Sequence, residues 1–369
     1  MITVSAYEIP EPGRMHLVQR SFPELAPEDL LVRVHRVGVC ATDLHLLDGD
    51  LGVAYPLIPG HEFVGEIAAI GSAAARRRGL RDGDRVAVEM LLPCHNCDQC
   101  RRGRYNLCEL DDRSVAAAGR QYGINIPAHT PPGLWGGYSE YVFAPQEALV
   151  HWIPDNLSWD RASLVEPLAV AFRAVDRAGV GPGDSVVVIG PGPIGLLTVA
   201  AARARGAGTA VITGTRQSRL DVAVRMGADA SINVRSVDAF AAVKELLPKG
   251  ADVVIETAGQ ASAQEESVHF VRRGGVVVLA GACGSRVPIT FHQDEDILLN
   301  EIDIRGSFLS AGGFEPAIEL LSSSELHFEE LITHHYGFAD VPLALSHVRD
   351  REQGVLKAVI NTTTGGSHG

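Results

Sequence analysis

Apolar residues follow two different textures along this chain. Through about residue 150, short stretches such as Leu30-Leu31-Val32-Arg33-Val34-His35-Arg36-Val37 partly alternate apolar with polar positions and are cut by glycine and proline. That pattern predicts a β-rich region with a turn about every ten residues. From about residue 185 the pattern changes to continuous Val/Ile runs at 185–190 (SVVVIG), 209–214 (TAVITG), 251–256 (ADVVIE) and 275–280 (GVVVLA). Runs without alternation suit strands covered on both faces. Segments of helical length lie between them, at 196–205, 218–226, 237–247 and 262–271. Strand and helix in alternation predict a doubly wound parallel α/β domain over residues 161–302.

Beyond it, 302–308 reads as a sixth strand, 314–322 as a helix, and 354–360 as a strand returning to the β-rich region. The fold class is therefore α/β, with a β-rich domain made of residues 1–160 and 303–369 around the doubly wound one. Residues 361–369 have no apolar periodicity and read as a loose end. There is no internal repeat. No apolar run reaches the ~20 residues of a membrane helix, and the first residues have neither a basic nor an apolar segment of a signal peptide. A soluble cytoplasmic protein with no membrane partner is expected, with its six cysteines reduced or bound to metal.

Composition adds one exclusion. With 32 Lys plus Arg against 45 Asp plus Glu, the net charge of −13 disfavours nucleic acid as a partner. The runs Arg76-Arg77-Arg78 and Arg101-Arg102 are too short to change this and read as solvated loops.

The first apolar strand is followed by Gly190-Pro191-Gly192-Pro193-Ile194-Gly195, a G-x-G-x-x-G turn that opens a helix. In that context Gly190 permits the tight turn, Gly192 lets backbone approach a pyrophosphate, and Gly195 lets helix pack on strand. Pro193 fits the first helical turn, where no N–H partner is lost, and with Ile194 it starts a helix whose N-terminus attracts phosphate. An acidic residue that binds the ribose 2′-hydroxyl of NAD is expected about 20 residues on. There the chain has Gly214-Thr215-Arg216-Gln217-Ser218-Arg219. The carboxylate is missing, and Thr215, Arg216 and Arg219 suit a 2′-phosphate, so NADP is expected over the alternative, NAD.

Cys94, Cys97, Cys100 and Cys108 have the spacing C-x2-C-x2-C-x7-C. Four thiolates on a short loop suit a closed tetrahedral structural zinc site spanning residues 94–108. An iron–sulfur site would favour a shorter last gap followed by proline. His95 reads as a solvent-facing bystander and Cys283 as a core thiol. Separately, Cys40 in Gly38-Val39-Cys40-Ala41-Thr42-Asp43-Leu44-His45 is followed twenty-one residues later by His61-Glu62. Thiol, imidazole and carboxylate can hold a zinc with an exchangeable position. Taken singly, each also reads as an ordinary buried Cys, core His or surface Glu. Glu166 opens a helix, where it either faces an interdomain cleft or compensates the helix dipole.

Together these residues, with Thr42, His45 and Glu166-Pro167-Leu168, resemble the zinc-dependent medium-chain alcohol dehydrogenases, in particular the polyol (sorbitol) and threonine dehydrogenase branch. The resemblance runs from about residue 4 to 360. It implies a GroES-like catalytic domain with an inserted Rossmann domain, and a homodimer or homotetramer. It also implies two zinc ions. One is structural; the other is catalytic, held by Cys40, His61 and either Glu62 or Glu166. Glu at position 166, where ethanol-oxidising relatives carry cysteine, favours polyols and secondary alcohols. The Gly214-Thr215-Arg216 triplet is similar to that of NADP-dependent members.

In such enzymes zinc lowers the alcohol pKa, as it brings that of water to about 7, hydride passes to nicotinamide, and the proton leaves through Thr42, the cofactor ribose and His45. The reverse reaction reduces a ketone or aldehyde. Two other readings are a zinc-free quinone or enoyl reductase on this fold and a non-enzymatic NADP-sensing or metal-carrying protein. The intact Cys40, His61, Glu62, Thr42 and His45 set speaks against both. Residues 111–136, including Arg120, Tyr122 and His129, read either as a border of the substrate pocket or as a surface loop.

Overall fold

The structure, a computed structural model, describes residues 3–22, 24–112, 119–284, 286–351 and 354–363. It forms two compact units, Met1–Glu166 with Ile332–Gly369, and Pro167–Leu331. In chain order the strands are β1 (Thr3–Glu11), β2 (Arg14–Ser21), β3 (Leu30–Val39), β4 (Glu62–Ile70), β5 (Arg85–Val88), β6 (Tyr141–Ala144), β7 (Val150–Trp152), β8 (Ser185–Ile189), β9 (Thr209–Gly214), β10 (Ala230–Asn233), β11 (Ala251–Glu256), β12 (Val271–Leu279), β13 (Asp303–Gly306), β14 (Ile332–Gly337) and β15 (Lys357–Asn361). The α-helices are α1 (Ala41–Asp48), α2 (Ser72–Arg78), α3 (Asp98–Arg101), α4 (Trp159–Ala162), α5 (Val165–Ala178), α6 (Pro193–Ala204), α7 (Gln217–Arg225), α8 (Ala239–Leu246), α9 (Ala261–Phe270), α10 (Phe314–Ser323) and α11 (Val341–Asp350).

In the first unit a seven-stranded sheet has the order β14-β15-β3-β4-β5-β7, with β6 also on β3, and β1 and β2 form a hairpin. Val32, Val34 and Val37 of β3, Phe63 and Ile67 of β4, Val86 of β5 and Ile360 of β15 share one core with Tyr122, Trp135 and Tyr138. Each such large apolar side chain contributes about 1.5–3 kcal/mol when fully buried. The last strand, β15, pairs antiparallel with β3, Val359 opposite Gly38, so both ends of the chain build this unit.

The second unit holds a six-stranded sheet, β10-β9-β8-β11-β12-β13, with every neighbouring pair parallel. This is the doubly wound order, whose direction reverses beside β8, and ligands of such sheets bind outside the carboxyl ends of the strands at that point. The glycine turn follows β8 directly.

The two units divide after Glu166 and after Leu331, whereas the sequence placed the inserted domain at 161–302. The later boundary moves downstream because β13 hydrogen-bonds to β12 and completes the parallel sheet. Residues 230–233 (ASIN) form a strand that the sequence reading passed over. Arg76, Arg77 and Arg78 belong to helix α2, not a loop, and Arg77 pairs with Glu28 at 2.9 Å. Arg101 and Arg102 end a short helix and both pair with Asp98. Residues 121–128 are buried, with Tyr122 fully enclosed, whereas His129 and Pro131 are exposed, so 121–128 is not a surface loop; residues 113–118 lie outside the described set. The same holds for 364–369 of the expected loose end. Among the described residues, no helix is long and apolar enough to cross a membrane.

Candidate functional site

The first cluster is built where β3 stops. Cys40 caps α1, and Asp43, three residues on, turns its carboxylate back so that Oδ2 accepts the Cys40 N–H at 2.9 Å. A carboxylate in the first turn also suits the helix dipole. Asp43 is fully buried. Its Oδ2 also accepts the Tyr138 hydroxyl at 2.9 Å, and its Oδ1 accepts the Gly60 N–H at 3.2 Å. One side chain thus ties together the Cys40 turn, the approach to His61 and the segment before β6.

His61 and Glu62 stand at the start of β4, both buried. The ligand atoms of Cys40, His61 and Glu62 all lie within 4.8 Å of one another. His61 Nδ1 is 3.6 Å from Asp43 Oδ1, too long for a hydrogen bond, and is a buried nitrogen without a hydrogen-bond partner. Burial alone would lower the His61 pKa, but Asp43 and Cys40 hold it well above the usual histidine range. Burial would raise Asp43, and the opposing attraction of His61 with the Cys40 and Tyr138 donors keeps it below its ordinary value.

Glu62 Oε2 accepts from Lys357 Nζ, which also donates to the Val39 carbonyl at 3.2 Å. This pair comes from residues 295 apart, brought together because β15 and β4 flank β3. Gly38 makes room for it: a Cβ there would stand 2.0 Å from Glu62 Oε2. Burial pulls the Lys357 pKa down, and Glu62, Cys40 and Glu166 together hold it above the ordinary lysine value.

Glu166 is buried at the start of α5. It lies outside the tight group formed by Cys40, His61 and Glu62. Burial, then the charge of Glu62, pushes its carboxyl up to about 7, against the pull of His61 and Lys357. Glu89 adds to that push, and it is itself bonded by the Tyr105 hydroxyl at 3.0 Å and His151 Nε2 at 2.9 Å. Thr42 Oγ1 is 3.5 Å from Cys40 Sγ. His45 is exposed, its Nδ1 3.1 Å from Asp50 Oδ2.

The second cluster is the cysteine knuckle. The sulfurs of Cys94, Cys97, Cys100 and Cys108 lie within 4.8 Å of one another and none is in a disulfide. Backbone N–H groups aim at them: Cys97 N to Cys94 Sγ at 3.3 Å, Cys100 N to Cys97 Sγ and Cys94 N to Cys108 Sγ, both at 3.4 Å. Although burial raises the Cys94 thiol, the Asn96 and Cys97 amides bring it to about 6. Such donors favour the thiolate, the form that binds metal, at Cys94 and Cys97, whereas burial pushes the Cys100 and Cys108 thiols up. His95, expected as a bystander, is exposed and has Nε2 2.8 Å from the Glu147 carbonyl oxygen. Cys283 is half-buried, its Sγ 3.6 Å from Gln264 Oε1.

The third lies in the second unit. Gly190 has φ +102, a left-handed value that glycine alone adopts without strain. A Cβ on Gly195 would stand 1.9 Å from the Gly190 carbonyl, whereas one on Gly192 would meet nothing within 4 Å. Gly192 caps α6 and Pro193 is its first residue. The open side of Gly192 and the N–H groups of Ile194 and Gly195, which have no preceding turn to bond, form a cradle of the kind that takes a phosphate. Gly214 ends β9 and is buried, Thr215 is exposed, and Arg216 and Arg219 are half-buried at the start of α7.

Lys357, Asp43 and Gly38 were not singled out from the sequence. A lone lysine inside the apolar run VLKAVI was the available signal, because a buried charge demands a partner.

Comparison with known proteins gives two family matches: the alcohol dehydrogenase GroES-like domain over residues 26–155 and the zinc-binding dehydrogenase domain over residues 193–323. Sorbitol dehydrogenase of Bacillus subtilis (strain 168) is 36% identical over 344 residues, covering 92% of this chain and 91% of that protein. Erythritol/L-threitol dehydrogenase of Mycolicibacterium smegmatis is 32% identical over 360 residues, 95% of each chain. A solved chain from Sinorhizobium meliloti 1021, assigned as a zinc-binding dehydrogenase and bound to NADP, superposes with a TM-score of 0.86 at 30% identity, covering 98% of this chain and 100% of that one.

Proposed function

The chain belongs to the zinc-dependent medium-chain alcohol dehydrogenase family and is an oxidoreductase of alcohols or polyols, and from that premise we propose its ligand set, its coenzyme and its proton route. The catalytic zinc is held by Cys40 and His61 with Glu62 or Glu166 as the carboxylate, the structural zinc by Cys94, Cys97, Cys100 and Cys108, and the hydride acceptor is NADP. The substrate is a secondary alcohol or polyol, the product its ketone. The observation that carries this is the convergence of a half-buried thiol with a buried imidazole and a buried carboxylate within 4.8 Å, a donor set that suits zinc with an exchangeable position.

When bound, the zinc supplies Lewis acidity that makes an alcohol proton leave near neutral pH, and the nicotinamide accepts the hydride. The residues of the chain do the rest. Asp43, bonded to three backbone or side-chain donors, fixes Cys40 and faces His61 Nδ1, the outer support that orients a metal-binding imidazole. Lys357 neutralises Glu62, so the cluster does not carry a thiolate and two bare carboxylates in one buried volume. Thr42, next to Cys40, is the first proton acceptor, and the exposed His45, beside Asp50, is the last group before solvent. The balance is one hydride to the coenzyme and one proton released per alcohol oxidised.

Support for NADP is the glycine at position 214, the guanidinium groups of Arg216 and Arg219, and the NADP held by the S. meliloti relative. A cytoplasmic homodimer or homotetramer belongs to the same reading. Its test is zinc analysis together with absorbance at 340 nm on a panel of polyols, secondary alcohols and cyclitols with each coenzyme. Two zinc ions per chain and a lower KM for NADP are expected. Cys40→Ser should abolish turnover while NADP still binds. Unchanged turnover in that variant, or one zinc per chain in the parent, refutes the ligand assignment.

A further inference from the structure

Gly214 occupies the place where an NAD-binding fold ordinarily presents its acidic side chain. Its backbone is not left-handed, so conformational freedom does not demand glycine there. Space does. A Cβ at position 214 would stand 2.2 Å from Cδ and 2.4 Å from Cγ of Pro191, with Leu220 Cδ2 at 3.5 Å on another side. Pro191 is the second residue of the phosphate-binding turn.

The proline ring cannot swing aside, because it is closed onto its own backbone and that backbone is tied down. Gly190 N–H donates to the Thr213 carbonyl at 2.9 Å, joining the turn to the residue before Gly214. The Thr257 hydroxyl donates to the carbonyls of Ile189 and Gly190 at 2.9 and 3.0 Å. On the facing side, Gly214 is held in the sheet by Val234 N–H, which donates to its carbonyl at 2.9 Å. Two rigid pieces of backbone therefore meet ring against Cα, and neither yields to a larger residue at low cost.

We infer that Pro191 is a specificity-determining residue for the coenzyme, acting through Gly214: its ring excludes any side chain at position 214, and so excludes the carboxylate that would bind a free ribose 2′-hydroxyl and repel a 2′-phosphate. The positions left to read the ribose are Thr215, Arg216 and Arg219, a hydroxyl and two guanidinium groups that suit a phosphate monoester. The discrimination is thus built into the turn itself, and attraction by arginine acts on top of it. This deepens the NADP reading and rests on it.

The test needs no turnover. Thermal unfolding is followed for the parent, Gly214→Ala, Pro191→Ala and the double variant, and binding of 2′-phospho-ADP-ribose and ADP-ribose is measured by calorimetry for the parent, Gly214→Asp and Pro191→Ala/Gly214→Asp. Gly214→Ala should lower Tm by several degrees, Pro191→Ala should change it little, and adding Pro191→Ala to Gly214→Ala should restore most of the loss. Pro191→Ala/Gly214→Asp should bind ADP-ribose at least about tenfold tighter relative to its 2′-phosphate than the parent does. Gly214→Asp alone should bind both ligands more weakly, because it displaces the turn. If Gly214→Ala costs the same with and without Pro191, or if the double variant fails to fold as Gly214→Ala does, the lock is refuted. If the parent prefers ADP-ribose, the NADP reading falls, whatever the unfolding cycle shows.

Discussion

Replacing Lys357 by methionine keeps most of the length of the side chain, one atom short, and removes its charge. Both partners of the Lys357–Glu62 pair are 3% exposed, and Gly38 leaves no space for water on the near side, with Glu62 Oε2 2.0 Å from where a Cβ would be. A buried carboxylate without a counter-ion folds in its protonated form. Protonating a glutamate of ordinary pKa about 4.3 at pH 7 costs about 1.36 kcal/mol for each of the ~2.7 units, or ~4 kcal/mol. That falls within the range of about 3–5 kcal/mol for breaking a buried pair from one side. For a unit of about 200 residues this is a fall in Tm of about 8–16 °C. The pH dependence has a definite sign. Glu62 in the variant would bind its proton more tightly folded than unfolded, so the loss grows as pH rises from about 4 and is only about 1 kcal/mol at pH 5. Urea unfolding of zinc-free parent and zinc-free Lys357→Met at pH 5 and pH 7, with the removal of zinc verified by metal analysis, checks it. Glu62→Gln/Lys357→Met, which leaves no bare charge, should recover most of the loss. A Lys357→Met protein within about 1 kcal/mol of the parent at pH 7, or a loss that does not change with pH, would show that the pair is not the buried charge balance described above.

Cys97→Ser should lose one zinc and about 5 °C or more in Tm while its remaining zinc stays bound, because the knuckle has no core of its own; full zinc content measured by atomic absorption contradicts this. Arg216→Ala/Arg219→Ala should raise the Kd for 2′-phospho-ADP-ribose about tenfold or more and leave that for ADP-ribose nearly unchanged, as read by calorimetry; equal losses for both ligands would mean the arginines only hold the start of α7. Asp252 is held at about 2, below the ordinary 3.8: burial opposes, and the Ser185 and Arg272 donors prevail. Its contribution is present above about pH 4 and disappears as pH falls toward 2, so Asp252→Asn should cost about 1 kcal/mol at pH 7, after allowance for solvent screening, and nothing at pH 2. A pH-independent difference in urea midpoints would assign the cost to packing.

The parallel sheet was legible because β8, β9 and β11 are buried on both faces and read as nearly unbroken apolar runs, and β12 ends in one, Val276-Val277-Val278-Leu279. β10 escaped because only Ile232 of its four residues is buried, which leaves no periodicity to see. The knuckle was legible for a different reason: its four ligands lie within fifteen residues, so loop geometry alone brings them together. Arginine runs misled, since a helix such as α2 can carry three of them when one face finds Glu28 and the Gln146 carbonyl.

What the sequence determined by itself were the local things: residue types able to bind metal and phosphate, the glycine turn at the end of a strand, and the period of each element. These depend on neighbours within a few residues. Only the tertiary structure decided that the Glu62 carboxylate lies within 4.8 Å of the Cys40 and His61 ligand atoms, that Lys357 from the far end of the chain neutralises it, and that Pro191 occupies the space beside Gly214. The physical reason is that strand pairing places β15 against β3 and β9 against β8. Contact distances between such strands follow from hydrogen-bond register, and separation along the chain carries no trace of it.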